Sequence, residues 1–536
     1  MHFLPVNLDS FLIEPGSLDD TLALYDAVTA ARHQGLLVGI EELIPAARTL
    51  LVRFTPGLTD AATLCYRIRQ LPPGGDGQRQ RASITLPVCY DGDDLPALAE
   101  RLGLTVTQLI THHQSVCWKV AFTGFAPGFA YLASPDWQWT IPRRATPRTR
   151  IPAGSLALAG EFCGIYPQAS PGGWQLIGHT GEAMWDMARP QPARLQPGDG
   201  VRFVAADRKN TISLPGPAAR AEPPDTAADG EPALTIMTPG LLTSWQDGGR
   251  PGRGAMGVGI SGARDNAAWR RANMLVGNPD VAALEITAGG FRARARQDVV
   301  LAVTGAPCPL TLVAAEGRFP LAMEQAFALQ AGDELHIGPA QQGVCSYLAL
   351  RGVRQPEPVL GSASRDILAG VGPQPLAAGE ALYIDPALGC QSVAVFLAPA
   401  ATLPGPTDIV SLDIVAGPRT DWFTDQALHL LTSQLWPVTE QSNRIGLRLN
   451  GEQPLARCQH QELPSEGTCM GAIQVPASGQ PVLFLRDHPL TGGYPVIAAV
   501  APHHRDLAGQ IPPGCRIRFT LIRPFFPLPE SENHHE

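Results

Sequence analysis

The sequence predicts a mainly β protein with α/β parts, and three observations carry that expectation. Much of the chain consists of short apolar runs broken by Gly and Pro, as at residues 122–128, 151–154 and 170–174. Such runs read as short strands joined by turns, the pattern of a β-barrel. A closing pattern then occurs twice: Pro197-Gly198-Asp199-Gly200-Val201-Arg202-Phe203 and Pro513-Gly514-Cys515-Arg516-Ile517-Arg518-Phe519. A Pro-Gly turn followed by an alternating Val/Ile-Arg-Phe strand at both places is a weak internal repeat, and it predicts the same kind of barrel in each half. Finally, mixed helix and strand patterns concentrate near the start.

Taken in order, residues 1–81 read as a small α/β domain. An extended start (3–13) leads to a helix from Ser17, a serine cap followed by Asp19 and Asp20 in the first turn. Strands are expected at 36–40 and 49–54, a helix at about 60–71, and a Gly/Arg-rich loop around 78–80. Residues 82–206 open with a strand at 83–88 and two short helices (94–102, 105–113) before the barrel pattern begins. Residues 207–233 turn Pro/Ala/Glu-rich and lose periodicity, as a linker does, which makes them the expected site of proteolysis. Residues 234–523 return to Gly-rich short strands, with helices at 263–275 and near 421–435, and 524–536 form a tail.

Composition narrows the function. Net charge is −9 over 536 residues, which gives no basic footprint for nucleic acid. No apolar segment approaches the ~18 residues a membrane span needs, and the start lacks the features of a signal peptide, so a cytoplasmic location is expected. The ten cysteines lack CxxC or finger spacing, and Cys469 is the one placed beside a distinctive motif. The adjacent pairs His112-His113, His503-His504 and His534-His535 point apart on a regular strand or helix, so no metal site is expected from them. Lysine occurs only at 119 and 209. That excludes a GxxxxGK[ST] phosphate loop, a kinase lysine and a biotinyl lysine.

Two sets of motifs are more specific. Phe122 to Leu132 (FTGFAPGFAYL), Pro142-Arg143, Thr146-Pro147-Arg148, Ile151 to Ser155, Gly164 to Pro167, Ser170-Pro171-Gly172-Gly173-Trp174 and Ile177-Gly178 closely resemble the allophanate hydrolase subunit 1 family. Gly240 to Ser244, Gln246 to Gly252, Ser261 to Asp265, Leu284-Glu285, Asn443 to Leu449, Gly471 to Pro476 and Thr491-Gly492-Gly493-Tyr494-Pro495 resemble the companion subunit 2 family. Together the halves resemble fused B and C subunits of 5-oxoprolinase, and also the carboxyltransferase region of urea carboxylase. The resemblance implies cyclophilin-like barrels in both halves. It implies a component of an ATP- and Mg-dependent lactam hydrolase, working on a small amide or lactam with a separate partner, the lactam-utilisation A subunit. A carboxyltransferase served by separate biotin carboxylase and biotin carrier proteins, or a kinase-regulating inhibitor/antagonist-type binding protein, are the alternatives. A homo-oligomer stays open.

The candidate residues follow from the chemistry of an amide oxygen that gains negative charge, which calls for N–H donors or arginine around it. Glycines beside aromatics (Gly128, Gly172, Gly173, Gly492, Gly493, Tyr494) let backbone approach a ligand, or serve as barrel turns. Arg143, Arg148, Arg250 and Arg444 lie inside Gly/Pro motifs, where a guanidinium fork binds a carboxylate or phosphate, or makes a structural ion pair. Gln474 either satisfies a barrel hydrogen bond or contacts substrate. Asp265 is a helix cap or a general base, and Asp487 is an acid–base group or one of a surface pair. His179 stands where the family commonly has arginine after Ile-Gly, which makes any anion contact there pH-dependent. Arg264 follows Ala263 where the family more often has methionine before the aspartate.

Overall fold

The computed structural model describes residues 1–72, 82–207, 230–394, 397 and 400–522. The loop expected around 78–80, most of the expected linker and the expected tail lie outside the described residues.

The first lobe is a four-stranded antiparallel sheet in the order His2–Asn7, Ser10–Glu14, Leu50–Phe54, Ile40–Pro45. Two helices cover it. Leu18–His33 is capped by Ser17, whose side chain accepts from Asp20 N, and Ala61–Arg69 is capped in the same way by Asp60 on Thr63 N. Phe11, Val28, Leu50, Val52, Phe54 and Leu64 form the core between them. The strand expected at 36–40 is instead a loop. Gly35 and Gly39 hold positive φ (73° and 84°), a conformation strands do not use, and the strand begins only at Ile40.

Next comes a seven-stranded sheet in the order Gln175–His179, Ser155–Ala159, Phe162–Ile165, Ala130–Ala133, Trp118–Thr123, Gly200–Ala205, Ser83–Val88. An isolated antiparallel bridge between Cys89 and His179 joins the chain after the last strand to the end of the first, and so closes the sheet into a barrel. The helices Leu95–Arg101 and Val106–Ser115 cover one opening, the second held by a capping box between Thr105 and Gln108.

The second half begins with a six-stranded and a five-stranded sheet that share one core, including Ile236, Leu284, Phe291, Leu301 and Leu348. The helix Asn266–Val276 packs on the five-stranded sheet, capped by Asp265 and ended by Gly277 at φ 70°. A last seven-stranded sheet runs Trp436–Pro437, Arg516–Leu521, Ile409–Ala416, Val496–Val500, Ala472–Gln474, Val482–Phe484, Gly446–Arg448. Here too an isolated bridge, Val438 to Leu449, ties the two ends together. The helix expected near 421–435 is a 3-10 turn, Thr420–Trp422, followed by the helix Asp425–Ser433.

The repeated motif now has a structural meaning. Gly200–Ala205 pairs in parallel with Ser83–Val88, and Arg516–Leu521 pairs in parallel with Ile409–Ala416. In both, Val or Ile and then Phe point inward while the arginines face out.

The halves do not pack as separate bodies. Val6, Leu12, Ile44 and Leu51 of the first lobe form one buried cluster with Cys469, Ala472, Phe484, Leu490 and Val496. Arg505 grips Asp9 through both carboxylate oxygens, Arg419 bridges Glu14 and Glu466, and Asn7 Nδ2 donates to Val500 O at 2.8 Å. Burial pushes the Cys469 thiol up to about 11, so it sits in this interface as a small apolar group.

Candidate active site

Where the first half meets the second, the 124–128 loop lies against two segments of the other half. Thr123 Oγ1 donates to Ala255 O (3.0 Å), and Gly128 N donates to Met256 O (3.1 Å). A Cβ on Gly124 would fall 2.1 Å from Thr491 Oγ1, so only glycine lets the two loops touch. Phe125 adopts φ 66°, unusual for an aromatic, yet the residue is 39% exposed, and its ring meets Phe129 (5.3 Å) and Tyr166 (6.1 Å) edge-on. Glu42, buried in the first lobe, accepts from Gly252 N (2.7 Å) and Gly254 N (3.0 Å) and so fixes the turn on the other side.

Behind Thr491, the Gln474 amide donates to Tyr494 O (3.0 Å), and a Cβ on Gly492 would meet Gln474 Nε2 at 2.5 Å. Tyr494 is exposed, with the Arg457 guanidinium over its ring, and a Cβ on Gly493 would fall 3.2 Å from Leu463 O. Thr468 Oγ1 contacts His488 Nδ1 (3.3 Å), and burial lowers this imidazole to about 4, which keeps it neutral.

Next to His488 the buried acids converge. Asp487 is 1% exposed and accepts from Ser261 Oγ (2.7 Å), Ile367 N (3.0 Å) and Arg444 Nε (2.9 Å). Arg444, 2% exposed, also reaches Glu285 through Nη1 and Gly262 O through Nη2 (2.7 Å). Glu285 accepts in turn from Tyr347 Oη (2.7 Å) and Arg264 N (2.9 Å). Asp366 lies on the other side of the turn. The position of a Cβ on Gly259 is 3.6 Å from Asp366 Oδ2 and 3.7 Å from His488 O. Burial, reinforced by the Asp487 charge, raises the Asp366 carboxyl to about 7. Arg250, 1% exposed, donates through Nε to Val359 O (3.3 Å) and through Nη2 to Ser364 O, while its Nη1 has no partner among the described residues.

Asp265 is the cap of its helix, accepting from Ala268 N (2.9 Å), and it also accepts from Gln510 Nε2 (3.0 Å). Burial, with Asp506 and Glu285 adding to it, raises its carboxyl to about 6, so the cap also titrates near neutrality.

The remaining candidates cluster in the first barrel. Arg148 places both nitrogens on Asp94 (2.8 and 2.9 Å), where Arg144 and Leu176 N also donate. Gly172 faces Arg148 in the strand pair, with Tyr166 Oη 2.3 Å from where its Cβ would be, and Gly173 O accepts from Arg144 N. Arg143 is exposed, 3.9 Å from Glu462. His179 contacts Asp91 (2.7 Å).

The structure therefore gathers Asp487, Arg444, Arg250 and Asp265 into one region, and Gln474, Gly492, Gly493 and Tyr494 beside it across Thr468 and His488. Gly128 reaches the same junction from the first half. Arg143 reaches the edge of the junction through Glu462, and Gly172 through Tyr166, which meets Phe125, whereas Arg148, Gly173 and His179 lie elsewhere. Asp366, Ser261, Glu285 and His488 are additions that sequence reasoning missed. Glu285 stood in a quoted motif, but Asp366, in Ser364-Arg365-Asp366, has no local signal.

Two closed barrels, the second tied to the sheets before it by a buried acid–arginine network, define a two-part enzyme component. The chain belongs to the carboxyltransferase-domain family: residues 1–195 match its subdomain C and D model, and residues 256–521 match its subdomain A and B model. It is 50% identical over 124 residues to the B subunit of 5-oxoprolinase from Escherichia coli O157:H7, covering 23% of this chain and 57% of that protein. It is 35% identical over 299 residues to the C subunit of 5-oxoprolinase from Escherichia coli K12, covering 54% of this chain and 90% of that one. The crystal structure of the protein TTHA0988 superposes with a TM-score of 0.81 at 34% identity, over 95% of this chain and 99% of the other. The B- and C-subunit relatives thus divide as the two halves do, TTHA0988 spans both, and both barrels are cyclophilin-like. Among the described residues no helix is long and apolar enough to cross a membrane.

Proposed function

We propose that this chain is the fused B and C component of an ATP-dependent 5-oxoprolinase, and that lactam activation takes place at the junction of its halves. The observation that carries the reading is the junction itself. Segments resembling the B and C subunits share one apolar core, and Glu42 of the first half holds the Gly252–Gly254 turn that precedes the second half's titrating acids.

Opening a lactam requires stabilisation of charge on the amide oxygen and delivery of a proton to the departing nitrogen. Asp366, half-protonated near pH 7, supplies a proton, and Asp487, held by Arg444, tunes it through its charge. Arg250 Nη1, which has no partner among the described residues, is the donor suited to the oxygen. The fork arginines do not fit a triphosphate, because Arg148 and Arg444 already have this chain's own acids on their donors. We assign ATP and Mg to a separate polypeptide, the lactam-utilisation protein that forms the A component. The location expected for such a complex is the cytoplasm.

The test is reconstitution. This chain alone should leave 5-oxoproline intact, whereas addition of Mg-ATP together with the lactam-utilisation protein should give glutamate and ADP. Turnover by the chain alone would remove the split-enzyme reading. The family's name keeps a second reading alive, carboxyl transfer to urea or a similar amide with separate biotin proteins. Bicarbonate fixation with a biotin carboxylase and carrier, and no lactam opening, would favour it.

A further inference from the structure

We propose a transition-metal site of the Zn²⁺ class on the seam of the first barrel, formed by Cys89, Asp91 and His179. Their ligand atoms lie within 4.8 Å of one another. This follows from the closing bridge. Cys89 N donates to His179 O and His179 N to Cys89 O, both at 2.8 Å, so the two residues face each other directly across an antiparallel pair. Directly paired residues send their side chains to the same side, and the Asp91 carboxylate, two residues beyond Cys89, is brought there by its contact with the His179 ring. Cys89 is not in a disulfide.

The donor set is one thiol, one imidazole and one carboxylate, a combination suited to zinc, with Zn–S near 2.3 Å and Zn–N and Zn–O near 2.0–2.2 Å. His179 Nδ1–H donates to Asp91 Oδ1 at 2.7 Å. Two such ligands on a tetrahedral ion stand about 3.3 Å apart, so this pair needs to open by about 0.6 Å. The proton on Nδ1 moves to Nε2, the thiol proton leaves to solvent, and three protein ligands leave a fourth position for water or an anion. Both side chains are partly solvent-exposed (His179 36%, Asp91 28%), so an ion can enter without unfolding the barrel.

A second group, Asp413, His503 and His504, has similar spacing but the wrong chemistry. His504 Nδ1 accepts from Asp413 N at 2.9 Å, which places the proton on Nε2 and leaves that ring without a lone pair for a metal.

The probe is Co²⁺ added to the purified full chain, followed by Zn²⁺ competition. One Co²⁺ per chain should bind with a near-ultraviolet thiolate-to-cobalt charge-transfer band, and Zn²⁺ should displace it. Cys89→Ser should abolish the band. His179→Ala and Asp91→Asn should each weaken binding by at least tenfold, whereas His503→Ala should leave it unchanged. Melting curves on all four variants confirm that the barrel is intact, because its seam is held by backbone. Absence of the band, or a band that survives Cys89→Ser through Cys117 or Cys458, overturns the proposal. So does binding that disappears only in His503→Ala. None of these outcomes depends on lactam turnover, so the site stands or falls apart from the 5-oxoprolinase reading.

Discussion

Replacing Arg444 with methionine removes four hydrogen bonds at once: Nε and Nη2 to Asp487, Nη2 to Gly262 O, and Nη1 to Glu285. The two carboxylates left behind have side-chain exposures of 0% and 1%, so water cannot take over the lost contacts. Breaking a buried pair by deleting one partner costs about 3–5 kcal/mol, because the other charge stays desolvated. For a unit the size of the second half that corresponds to a fall in Tm of roughly 6–10 °C. Arg444→Lys keeps the charge but serves only one of the two acids, and should lose about half as much. The further change Asp487→Asn in the Met variant removes one stranded charge and should recover part of the stability. Differential scanning calorimetry measures the stability, and reconstituted turnover per folded molecule is recorded on the same samples. An unchanged Tm in both single variants with turnover lost would refute this account and make Arg444 a ligand-binding group.

Asp366 carries a pH signature. Its carboxyl binds its proton more tightly in the fold (about 7) than in the unfolded chain (3.8), so its stabilising contribution is complete below about pH 4 and is lost as the pH rises toward 7. Asp366→Asn should therefore raise Tm at pH 8, change little at pH 4 and remove a pH limb near neutrality from the turnover profile. Gly124→Ala should lower Tm or turnover by an amount equivalent to about 1–3 kcal/mol, and adding Thr491→Ala, which deletes the oxygen 2.1 Å from the new methyl, should restore part of it. A protease site inserted into residues 208–229 should give two fragments that still co-elute on a sizing column, since the halves share an apolar core and the ion pairs Asp9–Arg505 and Glu14–Arg419. Fragments that separate would contradict a common site.

The β content and the repeated closing strand were legible in the sequence, because alternation and Pro-Gly turns are local signals that survive any tertiary arrangement. That those strands pair in parallel was not, since the partners are far apart in sequence. The 36–40 segment misled for a similar reason: its apolar residues looked strand-like, but flanking glycines with positive φ set the backbone. Adjacent histidines point apart only on regular structure, whereas the turn at 502–504 brings both His503 and His504 to Asp413. Within the site, Asp265 and Asp487 stood out beside motifs, but Asp366 owes its titration entirely to burial beside Asp487. Whether an arginine fork holds a ligand or an internal acid depends on what the fold brings opposite it. Arg148 meets Asp94, and Arg444 meets Glu285 and Asp487, across separations no local pattern encodes.

The pairing of Asp9 with Arg505 spans 496 residues. At roughly 5–20 residues per second on the ribosome, about 25–100 s pass between the making of one partner and the arrival of the other. For most of that interval, until Cys469 to Val496 are made, Val6 and Leu12, which end in the common core, have no apolar surface from the second half to cover them. The growing chain thus carries an open hydrophobic face near its start, where chaperones or neighbouring nascent chains can bind. Synthesising the second half first, through a circular permutation that joins the halves in the opposite order, should shorten that exposure and improve the soluble yield of the same molecule.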